Sequence, residues 1–216
     1  MNTIRDFLFA GNLEGLVSIL SDHPELASEA ISLPDNPTKA YPLHRICDAV
    51  SAGHLPEETG VQIAKLFISI GGNVNSECQS GKDSPLTAAC SLGCDMLALL
   101  YLQQGARIDH KGCHGGTALH WAAWRGRDTV VQKLLSMNAN INELCMEFKS
   151  TPLFWAMHGY RFGGRENRHH QVACARLLIY HGADPSIPNF EGHLPAQLAG
   201  DNQELVQLFK INRYET

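Results

Sequence analysis

The sequence has few charged residues and no dense cluster of basic ones. Charged side chains make up 18% of its 216 residues, and 22 Asp and Glu outnumber 17 Lys and Arg, which gives a formal net charge of −5. Nucleic-acid-binding surfaces concentrate Lys and Arg on one face, and attachment to anionic lipids needs a polybasic segment. We therefore expect neither a nucleic-acid partner nor a membrane partner.

Long apolar runs are also missing. The first twelve residues have no basic start, and Asp6 and Asn12 interrupt their apolar side chains. A secretory signal needs such a start followed by an apolar stretch, and a membrane-spanning helix needs about 20 apolar residues. The seven cysteines are an odd number spread along the chain, which favours reduced thiols over a disulfide framework. Together these features predict a cytoplasmic protein.

Motifs that bring catalytic groups together are absent. The sequence contains no Gly-rich phosphate loop, no G-x-S-x-G and no H-E-x-x-H, which are the usual short signatures of phosphate, acyl and zinc-dependent chemistry. One stretch, His110, Cys113 and His114, is rich in possible ligands, but no second pair follows at zinc-finger spacing. We expect no catalytic residue, no cofactor and no metal, and thiol- or metal-dependent activity at these three residues is the alternative.

What the sequence does contain is one short phrase repeated several times. It reads Thr-Ala-Leu-His-Trp-Ala-Ala from residue 117, and variants of it begin at residues 41, 84, 151 and 194. The spacings are therefore 43, 33, 34 and 43 residues. A fixed period near 33 is typical of proteins built from stacked helical repeats.

The unit that begins near residue 115 shows how each repeat is expected to fold. Thr117 is suited to cap a helix with its hydroxyl, and Gly126 is suited to end it because glycine adopts the left-handed conformation. A second helix is predicted over 128–137, where the apolar residues fall on one face: Val130, Val131, Leu134 and Leu135.

The pattern resembles the ankyrin repeat, whose motif reads G-x-T-P-L-H-x-A-A-x-x-G, then V-V-x-x-L-L, then G-A-x-x-N. The resemblance covers nearly the whole chain. It implies an all-α solenoid of stacked helix-turn-helix units with hairpin fingers projecting from one side. It also implies a non-catalytic protein that binds a protein partner, and we expect a monomer when unbound.

We predict a single domain over residues 1–216. Its units are a degenerate N-terminal capping unit over 1–37, repeats over 38–75, 82–109, 115–142 and 149–186, and a C-terminal capping unit over 192–213. The two longer spacings place about ten extra residues near 50–59 and near 161–170, between the helices of a unit, on a period of roughly 33. Tyr160 stands where the helix-ending glycine belongs, and the segment 21–38, with three prolines, is expected to be irregular.

The candidate binding residues lie where the repeats differ. Trp124 and Arg125 follow the alanine pair, on the side that ankyrin proteins present to partners across a concave surface. Trp and Arg are the residue types richest in binding hot spots. Packing of Trp124 against His158 or Tyr160 is the alternative. Leu92 and His158 occupy corresponding positions in other repeats.

Aromatic residues near these positions complete the predicted surface. Trp121 and Trp155 share one phase of the repeat, where packing with an exposed polar edge is expected, and Phe148 is either exposed at a finger tip or folded back. The predicted protein-binding residues are Leu92, His114, Trp121, Trp124, Arg125, Phe148, Trp155 and His158.

Two features leave the mode of binding open. The basic segment near 161–170 is either a solvated loop or a specificity element that meets an acidic patch on the partner. His158 titrates near neutral pH, so regulation by pH is a further hypothesis. The partner could also be an enzyme or toxin that the protein inhibits, as an immunity-type protein does.

Overall fold

The computed structural model describes residues 3–33, 36–78 and 82–211. The chain divides into two compact units, Met1–Arg107 and Ile108–Thr216. Both are built mainly from pairs of short helices, and among the described residues no helix is long and apolar enough to cross a membrane.

In the first unit, α3 packs against α4 and α5, and α6 packs against α4 and α5. A 3-10 helix at Pro24–Ser28 follows the first two helices. The elements are α1 (Ile4–Phe9), α2 (Leu13–Asp22), β1 (Ile31–Leu33), β2 (Asn36–Ala40), α3 (Pro42–Ser51), α4 (Glu57–Ser69), α5 (Pro85–Leu92) and α6 (Asp95–Gln103).

The strand pair lies in the segment that the proline content marks as irregular. Strands β1 and β2 are antiparallel, with Ile31 opposite Ala40. The buried guanidinium of Arg45 donates from Nε to the Ile31 carbonyl at 3.0 Å and pairs with Asp48 at 2.8 Å. A helix side chain therefore satisfies a strand carbonyl, a long-range contact that periodicity cannot predict.

In the second unit, α7 packs against α8, α9 and α10, and α9 packs against α10. The second unit also has two 3-10 segments, Cys113–Gly115 before α7 and Pro195–Leu198 after α10. The helices are α7 (Ala118–Arg125), α8 (Asp128–Ser136), α9 (Pro152–Phe162), α10 (Arg168–Tyr180) and α11 (Gln203–Ile211).

Helices α5 and α9 each begin at a capping hydroxyl. Ser84 Oγ accepts the N–H of Thr87 at 3.2 Å at the start of α5, and Thr151 Oγ1 accepts the N–H of Phe154 at 3.3 Å at the start of α9. Each bond satisfies one of the N–H groups that have no partner within the helix. Pro85 and Pro152 follow directly, where a missing N–H costs little.

Helix α7 begins differently, through the ring of His120. The Thr117 N–H donates to His120 Nδ1 at 3.1 Å, and the Thr117 hydroxyl lies 2.9 Å from the same nitrogen instead of capping a backbone N–H as predicted. On its other side, His120 Nε2 lies 3.1 Å from the Ser150 carbonyl, to which it donates. Burial lowers the pKa of His120 to about 4, so a neutral ring joins the start of α7 to the next finger.

His44 occupies the same place in an earlier repeat but has only one of these bonds. Its Nε2 lies 2.8 Å from the Asp83 carbonyl. Tyr41 stands where the other repeat has Thr117, and among the described residues the buried His44 Nδ1 has no hydrogen-bond partner. Burial lowers the pKa of this ring too.

Glycine decides where the first helix of a repeat ends. Gly93 and Gly126 adopt left-handed conformations, with φ of 79° and 69°, directly after α5 and α7. In the other two repeats, the position of this glycine is occupied by Val50 and Tyr160. There α3 continues to Ser51, and α9 continues to Phe162. A side chain at this position favours the right-handed conformation, so these two helices are longer.

The extra residues of the long repeats therefore lie only partly between the helices, and the rest extend the helices themselves. Near 161–170, Arg161 and Phe162 complete α9, and residues 168–170 begin α10. Near 50–59, residues 50 and 51 complete α3 and residues 57–59 begin α4. Only short connections remain between the helices.

Most of the cysteines lie inside the two units. Cys78 and Cys113 are half-buried, and the other five thiols are buried: Cys47, Cys90, Cys94, Cys145 and Cys174. A buried cysteine packs as a small apolar residue. Burial raises the pKa of the Cys47 thiol, which keeps it protonated and unreactive.

Candidate functional site

The second unit contains a groove of about 960 Å³ whose walls are mainly aromatic. Helices α7 and α9 form one wall, and the fingers before α7, before α9 and after α10 form the other. We call it the aromatic groove; it is lined by His114, Trp121, Trp124, Phe148, Ser150, Phe154, Trp155, His158, Phe162, Asn189, Phe190, Glu191, His193, Gln197 and Leu198.

Helical spacing brings the rings of α7 and α9 to this wall. Trp121 and Trp124 are three residues apart, and Trp155, His158 and Phe162 follow at intervals of three and four. Residues at these intervals lie on one side of a helix. The two stripes therefore face the same groove.

The three tryptophans, all that the chain has, contact one another there. The ring centroids of Trp121 and Trp155 are 4.9 Å apart at 86°, and those of Trp121 and Trp124 are 6.1 Å apart at 89°. Edge-to-face arrangements of this kind are favoured by the quadrupole of aromatic rings. The cluster thus forms a rigid centre for the wall.

Two of the three indole N–H groups have acceptors. Trp155 Nε1 donates to Ser150 Oγ at 3.0 Å, and Trp124 Nε1 donates to His158 Nδ1 at 3.3 Å. The Trp121 Nε1 is buried and has no acceptor among the described residues. These bonds fix the orientation of Trp124 and Trp155 relative to α9.

Close approach of α7 and α9 fixes the position of Trp124. A Cβ on Gly159 would lie 2.2 Å from the Trp124 carbonyl oxygen, so only glycine fits at this crossing. The same oxygen accepts a hydrogen bond from Nε2 of the buried Gln171 at 2.9 Å. The last turn of α7 is therefore held by both α9 and α10.

The finger residues close the groove from the other side. The rings of His114 and Phe148 have centroids 5.5 Å apart, and the Phe148 ring lies 6.3 Å from that of Trp155. His114 Nδ1 is hydrogen-bonded to a carboxylate oxygen of Glu147, and the Phe190 N–H donates to the Phe148 carbonyl at 2.9 Å. Phe148 is half-buried and folded against Trp155, which decides between its two predicted placements.

Exposed aromatic rings stand at the rim. Phe162 and Phe190 are 65% and 62% exposed, and the Phe162 ring lies 4.7 Å from that of His158, one turn earlier on α9. Large apolar side chains exposed around a concave surface are characteristic of binding sites. Phe162 reaches the groove because α9 continues past Tyr160.

The polar groups of the groove are few. Partial burial lowers the pKa of His158, which keeps the ring neutral near pH 7 and Nδ1 able to accept. Glu191 is a lining carboxylate, and its Oε2 lies 3.2 Å from His193 Nδ1. None of the described lining residues is lysine or arginine.

Most of the predicted binding residues come together here. The six that line the groove are His114, Trp121, Trp124, Phe148, Trp155 and His158. The Arg125 guanidinium lies over the Trp124 ring, 5.8 Å from its centroid, without lining the groove. Leu92, at the end of α5, belongs to the other unit, so it is not part of this site.

The sequence prediction missed the third finger and the end of α9. Phe190 occupies a finger tip like that of Phe148. The sequence contained this signal, because both phenylalanines come shortly before a copy of the repeated motif. The other residues that it missed are Ser150, Phe154, Phe162, Asn189, Glu191, His193, Gln197 and Leu198.

The ligand-rich stretch does not form a metal site in the described part of the chain. His110 is buried, Cys113 is half-buried, and His114 pairs with Glu147. Across the described residues, no three His, Cys, Asp or Glu side chains are placed to hold one metal ion.

Comparison with known proteins identifies the repeats. Models of ankyrin repeats match residues 48–145, as three copies, and residues 149–190, so that together they cover nearly two thirds of the chain. A solved ankyrin repeat domain from Acinetobacter baumannii AYE superimposes with a TM-score of 0.73 over 96% of each chain, at 23% identity. This structural likeness confirms the predicted all-α repeat fold.

Similar curated proteins are much longer than this chain. A probable E3 ubiquitin-protein ligase from Oryza sativa subsp. japonica is 34% identical over 138 residues, 61% of this chain and 25% of that protein. A palmitoyltransferase from Lachancea kluyveri is 30% identical over 127 residues, 55% of this chain and 16% of that protein. A putative palmitoyltransferase from Danio rerio is 35% identical over 83 residues, 38% of this chain and 11% of that protein.

The chain therefore spans a quarter or less of the length of these relatives. What it shares with them and with the solved domain is the helix-pair repeat, which indicates a protein–protein interaction module. By its repeats and by its fold, the chain belongs to the ankyrin repeat family.

Proposed function

We propose that this protein is a non-catalytic binding module whose partner, another protein, docks in the aromatic groove of the second unit. The observation that supports this is the concentration of aromatic side chains: every tryptophan of the chain lines one groove of about 960 Å³, with exposed Phe162 and Phe190 at its rim. Interfaces are enriched in aromatic residues at their centres, and the few residues that carry most of the binding energy are enriched in tryptophan.

The groove is suited to binding because it is already formed. The orientation of Trp124 is fixed by His158, and its backbone carbonyl is held by Gln171. Side chains that are ordered before binding lose less conformational entropy on association. The odd number of cysteines, seven, spread along the chain favours a reducing, cytoplasmic setting for this interaction.

The experiment compares partner binding by the wild type and by two single variants. Trp124→Ala removes a ring from the groove, and Tyr180→Ala removes an aromatic side chain that is 85% exposed and does not line it. With a partner captured from native lysate and then purified, we expect Trp124→Ala to raise the Kd at least tenfold and Tyr180→Ala to leave it unchanged. Equal affinity of Trp124→Ala and the wild type, with unchanged helical circular dichroism, would contradict the proposal.

Inhibition is one form that this function can take. If the captured partner is an enzyme or toxin, its activity measured with increasing amounts of this chain decides whether binding blocks it. The Trp124→Ala variant then serves as the control with a weakened groove.

A further inference from the structure

The rings and charges of the aromatic groove indicate what kind of side chain it receives. We propose that an arginine side chain of the partner protein enters the groove, between the aromatic rings and Glu191. This inference rests on the proposed function and adds the chemistry of the partner to it.

The first argument is the affinity of ring faces for a guanidinium. The chain's own Arg125 lies over the Trp124 ring at 5.8 Å, and in the same unit Arg168 lies over the Tyr160 ring at 5.4 Å. A planar guanidinium stacks on aromatic faces and is less strongly hydrated than an ammonium group. Among the Trp and Phe rings that line the groove, the exposed Phe162 and Phe190 offer further faces of this type.

The second argument is charge complementarity. Glu191 is a lining residue, and Glu147 pairs with the lining ring of His114. The groove has no lysine or arginine among its described lining residues, so nothing on its wall neutralises Glu191 permanently. The carboxylate of Glu191 contacts His193 Nδ1 at 3.2 Å, and a histidine carries charge only when protonated. A cationic side chain is therefore favoured over a neutral one, and an anionic one is repelled.

The third argument is size. A volume of about 960 Å³ is at the upper end of the range for sites that enclose a drug-sized molecule. It is large enough for an arginine side chain together with the flanking backbone. A single small ion would leave most of the rings without contact.

The test uses two small probes of the same shape. N-acetyl-arginine methylamide carries the guanidinium, and N-acetyl-citrulline methylamide replaces it with an uncharged urea. Because all three tryptophans lie in the groove, the indole N–H signals in a ¹H–¹⁵N spectrum report on the groove alone. We expect the arginine probe to shift these signals and to bind about three- to fivefold more tightly than the citrulline probe.

Glu191→Gln removes the charge from the groove and nearly preserves the shape of the side chain. Glu25→Gln is a matched control, because each glutamate has an oxygen 3.2 Å from Nδ1 of a histidine two residues away, His193 or His23, and Glu25 does not line the groove. We expect Glu191→Gln to reduce the preference for arginine over citrulline by roughly twofold or more, and Glu25→Gln to leave it unchanged.

Two outcomes would overturn the inference. One is equal affinity of the two probes in the wild type, and the other is the absence of any indole shift with either probe. Neither outcome bears on the proposed function, which depends on whether Trp124→Ala weakens binding of the intact partner.

Discussion

The indole Nε1 of Trp124 lies 3.3 Å from Nδ1 of His158, so a donor on α7 meets an acceptor on α9 across the wall of the aromatic groove. A histidine can accept at Nδ1 only when that nitrogen carries no proton. Partial burial lowers the pKa of His158, which favours this neutral form. The shape of the groove is therefore coupled to the protonation of one ring.

Partner binding is expected to weaken in acid for this reason. Because the pKa of His158 is lowered from its ordinary value of 6.5, the accepting form is complete above that value and is lost as the pH falls through the lowered pKa. The loss of one hydrogen bond predicts a rise of up to about fivefold in Kd as the pH falls from about 7.5 through this lowered pKa. His158→Gln supplies an acceptor that does not titrate, so we expect it to flatten the profile. A wild-type Kd that is constant over this range contradicts the prediction.

The stability of the second unit should also depend on pH, through His120. Its pKa is about 4 in the folded chain, against an ordinary value of 6.5, so protonation favours the unfolded state. The free energy of unfolding is then highest above pH 6.5 and falls as the pH drops toward 4, by up to about 3 kcal/mol. Urea unfolding at several pH values measures this slope.

The control for that slope is His120→Gln. Glutamine can still accept the Thr117 N–H, as in a capping box, but it does not titrate. We expect the free energy of unfolding of this variant to depend less on pH than that of the wild type, whatever its value at neutral pH. If the slope of the variant equals that of the wild type, His120 is not its source.

Tyr41→Thr is expected to stabilise the first unit. The new hydroxyl would stand beside His44 Nδ1, as Thr117 stands beside His120, and it would give an unsatisfied buried nitrogen a donor. A net gain of about 1 kcal/mol in the free energy of unfolding is expected, reduced by the loss of the half-buried Tyr41 ring. Thr117→Val, which removes the hydroxyl from the second unit, should cost about as much. A destabilised Tyr41→Thr variant would disprove this account of His44.

Gly159→Ala tests the close approach of α7 and α9. Replacement of glycine inside a helix by alanine normally stabilises by up to about 1 kcal/mol. Here the new methyl group would lie 2.2 Å from the Trp124 carbonyl oxygen, so we expect a loss of about 2 kcal/mol or more.

Gly60→Ala is the matched control, because Gly60 is also buried within a helix, α4. Its Cβ would lie 2.7 Å from a methyl group of Val50, a side chain, rather than from backbone. A side chain can move aside more easily than a helix, so the cost should be smaller. Equal costs for the two variants would show that the backbone contact is not decisive.

Local chemistry made much of the fold predictable. Gly93 and Gly126 end their helices where the repeated phrase places them, and the apolar residues of α8 lie on one face because their spacing is helical. The contribution of the tryptophans to the aromatic groove was predictable for the same reason. Trp121, Trp124 and Trp155 stand at defined positions within neighbouring repeats. The predicted unit boundaries remain predictions.

Long-range contacts account for most of what was missed. The strand pair depends on Arg45 reaching the Ile31 carbonyl, and the third finger joins the groove through the bond from Phe190 to Phe148. Phe162 was taken for part of a loop, although Tyr160 at the glycine position was a local signal that the helix continues. Leu92 was predicted from its position within the repeat. That position does not show that Leu92 lies in a different compact unit from the groove.

The buried thiols are built-in probes of local unfolding in each unit. Cys47, Cys90 and Cys94 lie in the first unit, and Cys145 and Cys174 lie in the second. A thiol that is inaccessible in the folded chain reacts with an alkylating reagent only during local unfolding, and different parts of a structure open with different free energies. The order in which these five side chains become modified would rank the helix pairs by how often they separate.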